Sequence, residues 1–222
     1  MLGFGDFDQA RGHLDDALRL ARAVGARFAE PHLLRHLAAC ALQRGEPAMA
    51  QDLARQAQAL SVQIKDKSGE ATSALCAAQA ELAVGNEAAA EAAFRHAQSL
   101  GTELDHPQRL DATAGLARTS LARGALHDAA VHTETLLAHL AQQGSFDGAE
   151  SPQRVHLDCY LVLHHLGDAR AASVLDDAYR ELQTQAALIS DPRLRECFLT
   201  RIAENRDISQ AWQQANPPTP AA

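Results

Sequence analysis

Lysine is almost missing from this 222-residue chain: of its 20 basic residues only Lys65 and Lys67 are lysine, and 28 carboxylates bring the net charge to −8. Phosphate recognition relies on a basic face. An acidic chain of this kind argues against nucleic acid or an anionic membrane as its partner. Aromatic residues make up only 4%, so the core must be built from Leu and Ala, which suits helices packed closely together. No apolar run reaches the ~18 residues of a membrane-spanning helix. The opening "MLGFGDFDQARG" has neither the basic nor the apolar region of a signal peptide, and a cytoplasmic protein is expected. Cys40, Cys76, Cys159 and Cys197 form no Cys-x-x-Cys pair. They read as reduced packing residues, not as a disulfide framework or zinc site.

Catalytic signatures are missing too. "GFGDFD" lacks the third glycine and the preceding strand of a dinucleotide fingerprint. No P-loop, Gly-x-Ser-x-Gly or His-Glu-x-x-His occurs. His32 and His36 stand four apart, a metal-ligand spacing, but no acid or cysteine completes a set on that helix. The acid pairs of the two "LDDA" runs diverge around a helix and read as solvated. No metal, cofactor or catalytic residue is therefore expected, and the chain is read as a non-enzyme.

What the chain does have is a repeat. Gly5, Gly45, Gly85, Gly124 and Gly167 recur at separations of 40, 40, 39 and 43 in the contexts "GDFDQA", "GEPAMA", "GNEAAA", "GALHDA" and "GDARAA". Five residues after each stands an alanine: Ala10, Ala50, Ala90, Ala129 and Ala172. Leu20, Leu60, Leu100 and Leu182 follow further along the same helical face in four copies. Each glycine suits a left-handed helix end. Asp6, Asn86 and Asp168 read as N-caps behind three of them, and Pro47 as a first-turn proline behind another. Upstream of each complete glycine lies a second apolar-periodic run. Each unit is thus a helical hairpin, and hairpins stack side by side.

This pattern resembles the tetratricopeptide repeat over residues 1–188, with two departures: a period near 40 instead of 34, and a first helix without the usual Trp and Leu-Gly signature. Units of this length resemble the arrays of large bacterial signalling ATPases and transcriptional activators; other helical-hairpin repeats share the size. The resemblance implies an all-α, right-handed superhelix of antiparallel hairpins. Residues 189–214 read as C-terminal capping helices, opening on Asp191 and Pro192 with a stripe of Leu194, Phe198 and Ile202, and 215–222 as a disordered tail. Phe198, Leu199, Glu204, Arg206 and Ile208 also match a closing run of those regulators, with Ala203 where proline is usual.

The resemblance further implies that ligands bind the inner, concave face, lined by the first helix of each hairpin. The positions carried over are His32, Arg35 and Gln43, then Thr72 and Gln79, Asp111 and Arg118, and Arg154, His164 and His165. They suit a protein or an acidic or polar peptide. The first unit lacks its first helix. That leaves an expected bare apolar face, read either as a dimer contact or as the mark of an internal start behind upstream ATPase or effector domains. The expected function is a protein-binding sensor module of such a regulator. A free-standing scaffold or adaptor, or an enzyme using concave-face histidines, are the alternatives.

Overall fold

A computed structural model of the chain describes residues 2–217. Among these residues there is no strand. A short 3₁₀ turn, Leu2–Phe4, precedes eleven α-helices. α1 (Phe7–Val24) is followed by four hairpins: α2 (Ala29–Gln43) with α3 (Pro47–Gln63), α4 (Lys67–Ala83) with α5 (Glu87–Glu103), α6 (Arg109–Ala122) with α7 (Leu126–Gln143), and α8 (Pro152–His165) with α9 (Arg170–Ala187). α10 (Pro192–Thr200) and α11 (Ala203–Ala215) close the chain. Residues 218–222, most of the expected tail, lie outside the described residues.

All five repeat glycines have positive φ, between 68° and 80°. At Gly45, Gly85, Gly124 and Gly167 the next residue's N–H reaches back five residues, as Glu46 does to the Ala41 carbonyl at 2.9 Å, and the glycine N–H reaches back three. This paired pattern satisfies the last carbonyls of the preceding helix. The turns between hairpins use the same device out of phase, at Gly25, Lys65 and Asp105, also 40 residues apart. A 40-residue unit is therefore two helix-plus-turn halves of about equal length. Behind the glycines, Asp6 accepts from the Gln9 N–H as expected of a cap, whereas the Asn86 amide turns back to Glu81 at 3.1 Å and caps nothing.

α2, α4, α6 and α8 pack on one another in sequence and form the inner layer; α3, α5, α7 and α9 lie outside. Alanine makes this stacking close. Ala74, Ala78, Ala90, Ala97 and Ala112 are all buried around one ring, Phe94. α4 and α6 are buried on nearly every side, each having neighbours in its own hairpin and in the next. The 142–153 segment between α7 and α8 reaches into the core: Phe146 is 1% exposed and packs edge-on against His156, with ring centroids 4.7 Å apart. The outward face of α1 carries Asp8, Gln9, His13, Asp16 and Arg19, with exposed Leu20 and Val24 only near its end. The bare apolar face expected of a partnerless helix is thus mostly polar.

The solenoid curls until its ends meet. The 3₁₀ turn packs on α10. Gly5 lies against that helix so closely that a Cβ there would fall 2.6 Å from the Cys197 carbonyl oxygen. Asp6 pairs with Arg193 at 3.6 Å.

Candidate functional site

Because the ends meet, the inner face lines a half-open cavity of about 690 Å³, within the range of ~300–1,000 Å³ usual for ligand sites. Its apolar wall comes from Phe7, Leu42, Leu82, Ala122, Phe198 and Ile202. Its polar lining includes Gln43, Gln79, Arg118, Glu150, Arg154 and Glu204. These groups come from the N-terminus, all four inner helices, the 142–153 segment and the C-terminal pair.

Glu204, in the first turn of α11, is the centre of a clasp. One of its oxygens accepts from the Ser151 hydroxyl at 3.0 Å; the other accepts from Arg154 at 3.0 Å and the Gln43 amide at 3.1 Å. The same Gln43 side chain accepts the Ala203 N–H at 3.0 Å. α2, near the start of the array, is thereby tied to α11 near its end. Burial pushes the Glu204 carboxyl upward, but Arg154, its own backbone N–H and the hydrogen bonds from Gln43 and Ser151 outweigh it, and the group lies below the ordinary glutamate range. Arg154 is shifted upward: burial lowers it, and Glu204 and Asp158 more than compensate.

A second, poorer pair runs from the wall into the interior behind it. Arg118 of α6 reaches Asp158 of α8 through a single 3.5 Å contact, and Asp158 is 1% exposed. Among the described residues, Arg118 Nε and Asp158 Oδ2 have no partner. Burial lowers Arg118 and raises Asp158, in each case against the pull of the opposite charge.

Of the ten positions carried over from the repeat, Gln43, Gln79, Arg118 and Arg154 line the cavity. Arg35 and Asp111 sit just behind it and anchor the 142–153 segment. Arg35 bonds the Glu150 carboxylate, and Asp111 accepts the backbone N–H groups of Glu150 and Ser151 at 2.8 and 3.0 Å. Thr72 bonds backward to the Ser68 and Gly69 carbonyls. His32 lies 3.8 Å from Asp66, half exposed. His164 and His165 are exposed at the end of α8, His164 stacked on Tyr160 at 5.4 Å between ring centroids. Those four residues are not brought together with the rest. Sequence reasoning missed Glu150 and Asp158, and it picked out Glu204 only as part of a family run. Asp158 alone carried a signal, an acid set between Leu157 and Cys159 in an apolar run.

Burial pushes the Asp111 carboxyl up to about 6, against the two backbone N–H groups it accepts. The folded chain thus holds this proton to a higher pH than the unfolded chain, whose value is 3.8. Its ionisation costs stability above about pH 6, and that cost fades as the pH falls toward the unfolded value. The stability of the wild type relative to Asp111→Asn should therefore rise on acidification through this window, with a slope of up to about 1.4 kcal/mol per pH unit. Urea unfolding of both chains at a series of pH values measures it, and a difference independent of pH would contradict the assignment.

Fold and cavity together define an all-α solenoid of the tetratricopeptide-like class with a cavity on its concave face. No protein-family model matches the chain, and no curated relative does. Among solved structures it is similar to one described as "Crystal Structure of Rap Protein Complexed with Competence and Sporulation Factor", with a TM-score of 0.62 and 13% sequence identity. The match covers 96% of this chain and 62% of that one, so this chain spans less than two thirds of the length of its structural neighbour. At that identity the likeness is one of fold. No described helix is long and apolar enough to cross a membrane.

Proposed function

We propose that the protein is a non-catalytic binding module that takes a peptide or a segment of a partner protein into its concave cavity and reports the event through the contact between its two ends. The observation that carries this reading is the cavity itself: polar groups from every inner helix converge on it, and the chain's own C-terminal helices form part of its wall. The neighbouring Rap structure, a complex with a factor, supports a ligand-binding role. On this reading residues 1–188 are the array and 189–214 the cap. The finer placement, as the C-terminal sensor part of a bacterial ATPase-linked activator or cyclase, is supported by the run from Phe198 to Ile208. Phe198 and Ile208 from that run anchor the cap in the core.

The test is a displayed hexapeptide library selected on the full chain, with retained peptides measured against Ala83→Trp. Ala83 is exposed and lines the cavity, so the indole fills the space without disturbing the core. Selected peptides should lose at least about tenfold in affinity, a change of about 1.4 kcal/mol. Peptides that bind the variant as well as the wild type would place recognition elsewhere.

A further inference from the structure

The charged groups on the cavity wall are not equally satisfied. Glu150 is bonded by Arg35, and Glu204 is held by Arg154, Gln43 and Ser151. Arg118 differs. Its guanidinium has five N–H donors, and a single contact at 3.5 Å, the outer limit of a hydrogen bond, is its link to an acid. Its Nε is sealed from solvent with no partner among the described residues, and the same holds for Oδ2 of Asp158. A buried charged group with open hydrogen-bonding positions is costly, and in a folded protein it calls for an explanation. A well-formed Arg–carboxylate pair would be bidentate, and this pair is not. The arrangement leaves on the cavity wall a planar donor fork whose own acid engages it at one point.

We propose that Arg118 is the anchor for a carboxylate-bearing ligand in this cavity, and that Asp158 takes up a proton from solvent when the ligand carboxylate binds. The inference rests on the concave cavity being the binding surface and names the chemistry that surface selects.

The proton follows from charge. Arg118 of α6, Arg154 and Asp158 of α8, and Glu204 of α11 are the charged groups that act on one another here, and they sum to zero. A carboxylate placed on Arg118 leaves one negative charge in excess, in a region where an unpaired charge is strongly disfavoured. Glu204 cannot readily take the proton, because three donors hold it in the ionised form. Asp158 can: it is fully buried, one of its oxygens is free, and it loses its contact to Arg118 as the ligand arrives. Its upward displacement by burial points the same way. The ligand therefore replaces Asp158 on the guanidinium, and Asp158 becomes a neutral acid.

A carboxylate can come from a peptide C-terminus or from a small organic acid. Acetate, a hexapeptide pool with free C-termini and the same pool amidated separate the two. The readout is the Nε–H resonance of Arg118 in the full-length protein, assigned by its loss in Arg118→Gln, with sodium chloride at matched ionic strength as the blank. Acetate should shift this resonance saturably and more tightly as the pH falls from 8 to 6, where acetate itself stays ionised. Calorimetry of the wild type in two buffers of different ionisation enthalpy should show net proton uptake. Asp158→Asn should abolish that uptake and tighten acetate binding about tenfold. The wild-type titrations stand on their own if that variant fails to fold. If only free C-termini match acetate in moving the resonance, the source is a peptide terminus. If acetate alone moves it and neither pool binds, the carboxylate site stands and the peptide reading falls. Peptides that bind while the Arg118 resonance stays still, or acetate that binds with no proton uptake, would overturn the inference.

Discussion

Glu204→Ala is expected to lower the unfolding free energy by about 3–5 kcal/mol, the usual cost of removing one partner of a buried ion pair. The carboxylate is 10% exposed, and its loss leaves Arg154 charged and buried while Gln43 and Ser151 lose their acceptor. The effect should be asymmetric. Replacing both Glu204 and Arg154 by methionine removes the charges together and should restore most of the stability, because paired burial contributes little net energy compared with good apolar packing. Amide exchange should speed up in α10 and α11 in the single variant before it does in α4 or α6, whose hydrogen bonds lie deeper. Urea unfolding and exchange mass spectrometry measure both effects. A loss below about 1 kcal/mol would identify the clasp as an ordinary solvent-screened pair.

The second large effect lies in the core. Gly115, mid-way along α6, faces Phe94 of α5, and a Cβ at Gly115 would overlap the ring carbons Cε1, Cζ and Cδ1. Phe94 is fully buried among alanines from three helices, so the ring has nowhere to retreat. Helix propensity alone favours Gly115→Ala by about 1 kcal/mol. Overpacking opposes it by about 1–3 kcal/mol or more. The clash is with an enclosed aromatic ring, so packing should win, and the variant should be destabilised by about 2 kcal/mol. With Phe94→Leu as background the sign should reverse, since the obstructing ring is gone and the propensity gain remains. Thermal denaturation of the four chains of this cycle decides the matter. An equal cost in both backgrounds would mean that the glycine serves something other than this ring.

The two kinds of turn show where sequence reading succeeded and where it stopped. Gly45, Gly85, Gly124 and Gly167 announced the hairpins because glycine is the residue that takes positive φ most cheaply. Lys65 and Asp105 hold the same conformation, with φ of 57° and 48°, but lysine does not mark it and aspartate marks it far less than glycine does, so the half-period stayed hidden. The resemblance to tetratricopeptide arrays assigned the inner layer to the first helix of each hairpin, and carrying its positions over from each glycine is how Gln43, Gln79, Arg118 and Arg154 came to be named. The clasp was not. Gln43 and Glu204 are 161 residues apart, and a polar contact across a curved array leaves no periodic trace. His164 and His165 show the opposite failure: they fit the register of an inner helix but fall past its last buried turn, where the chain faces water.

Open solenoids can begin folding at any unit and fray from their ends, since each unit leans only on its neighbours and sequence-local contacts dominate. The clasp changes that rule for this chain. It joins the first complete hairpin to the final helix, so neither terminus is free to peel away alone. Its loop takes in 161 of the 222 residues, and such a loop is entropically slow to close but costs little more than a short one once formed. It is therefore expected to form last in folding and to turn a row of semi-independent units into a single cooperative body. Any molecule that parts Glu204 from its three donors would hand the array back to the one-dimensional behaviour of an open solenoid, and a binding event in the cavity would be felt along its whole length.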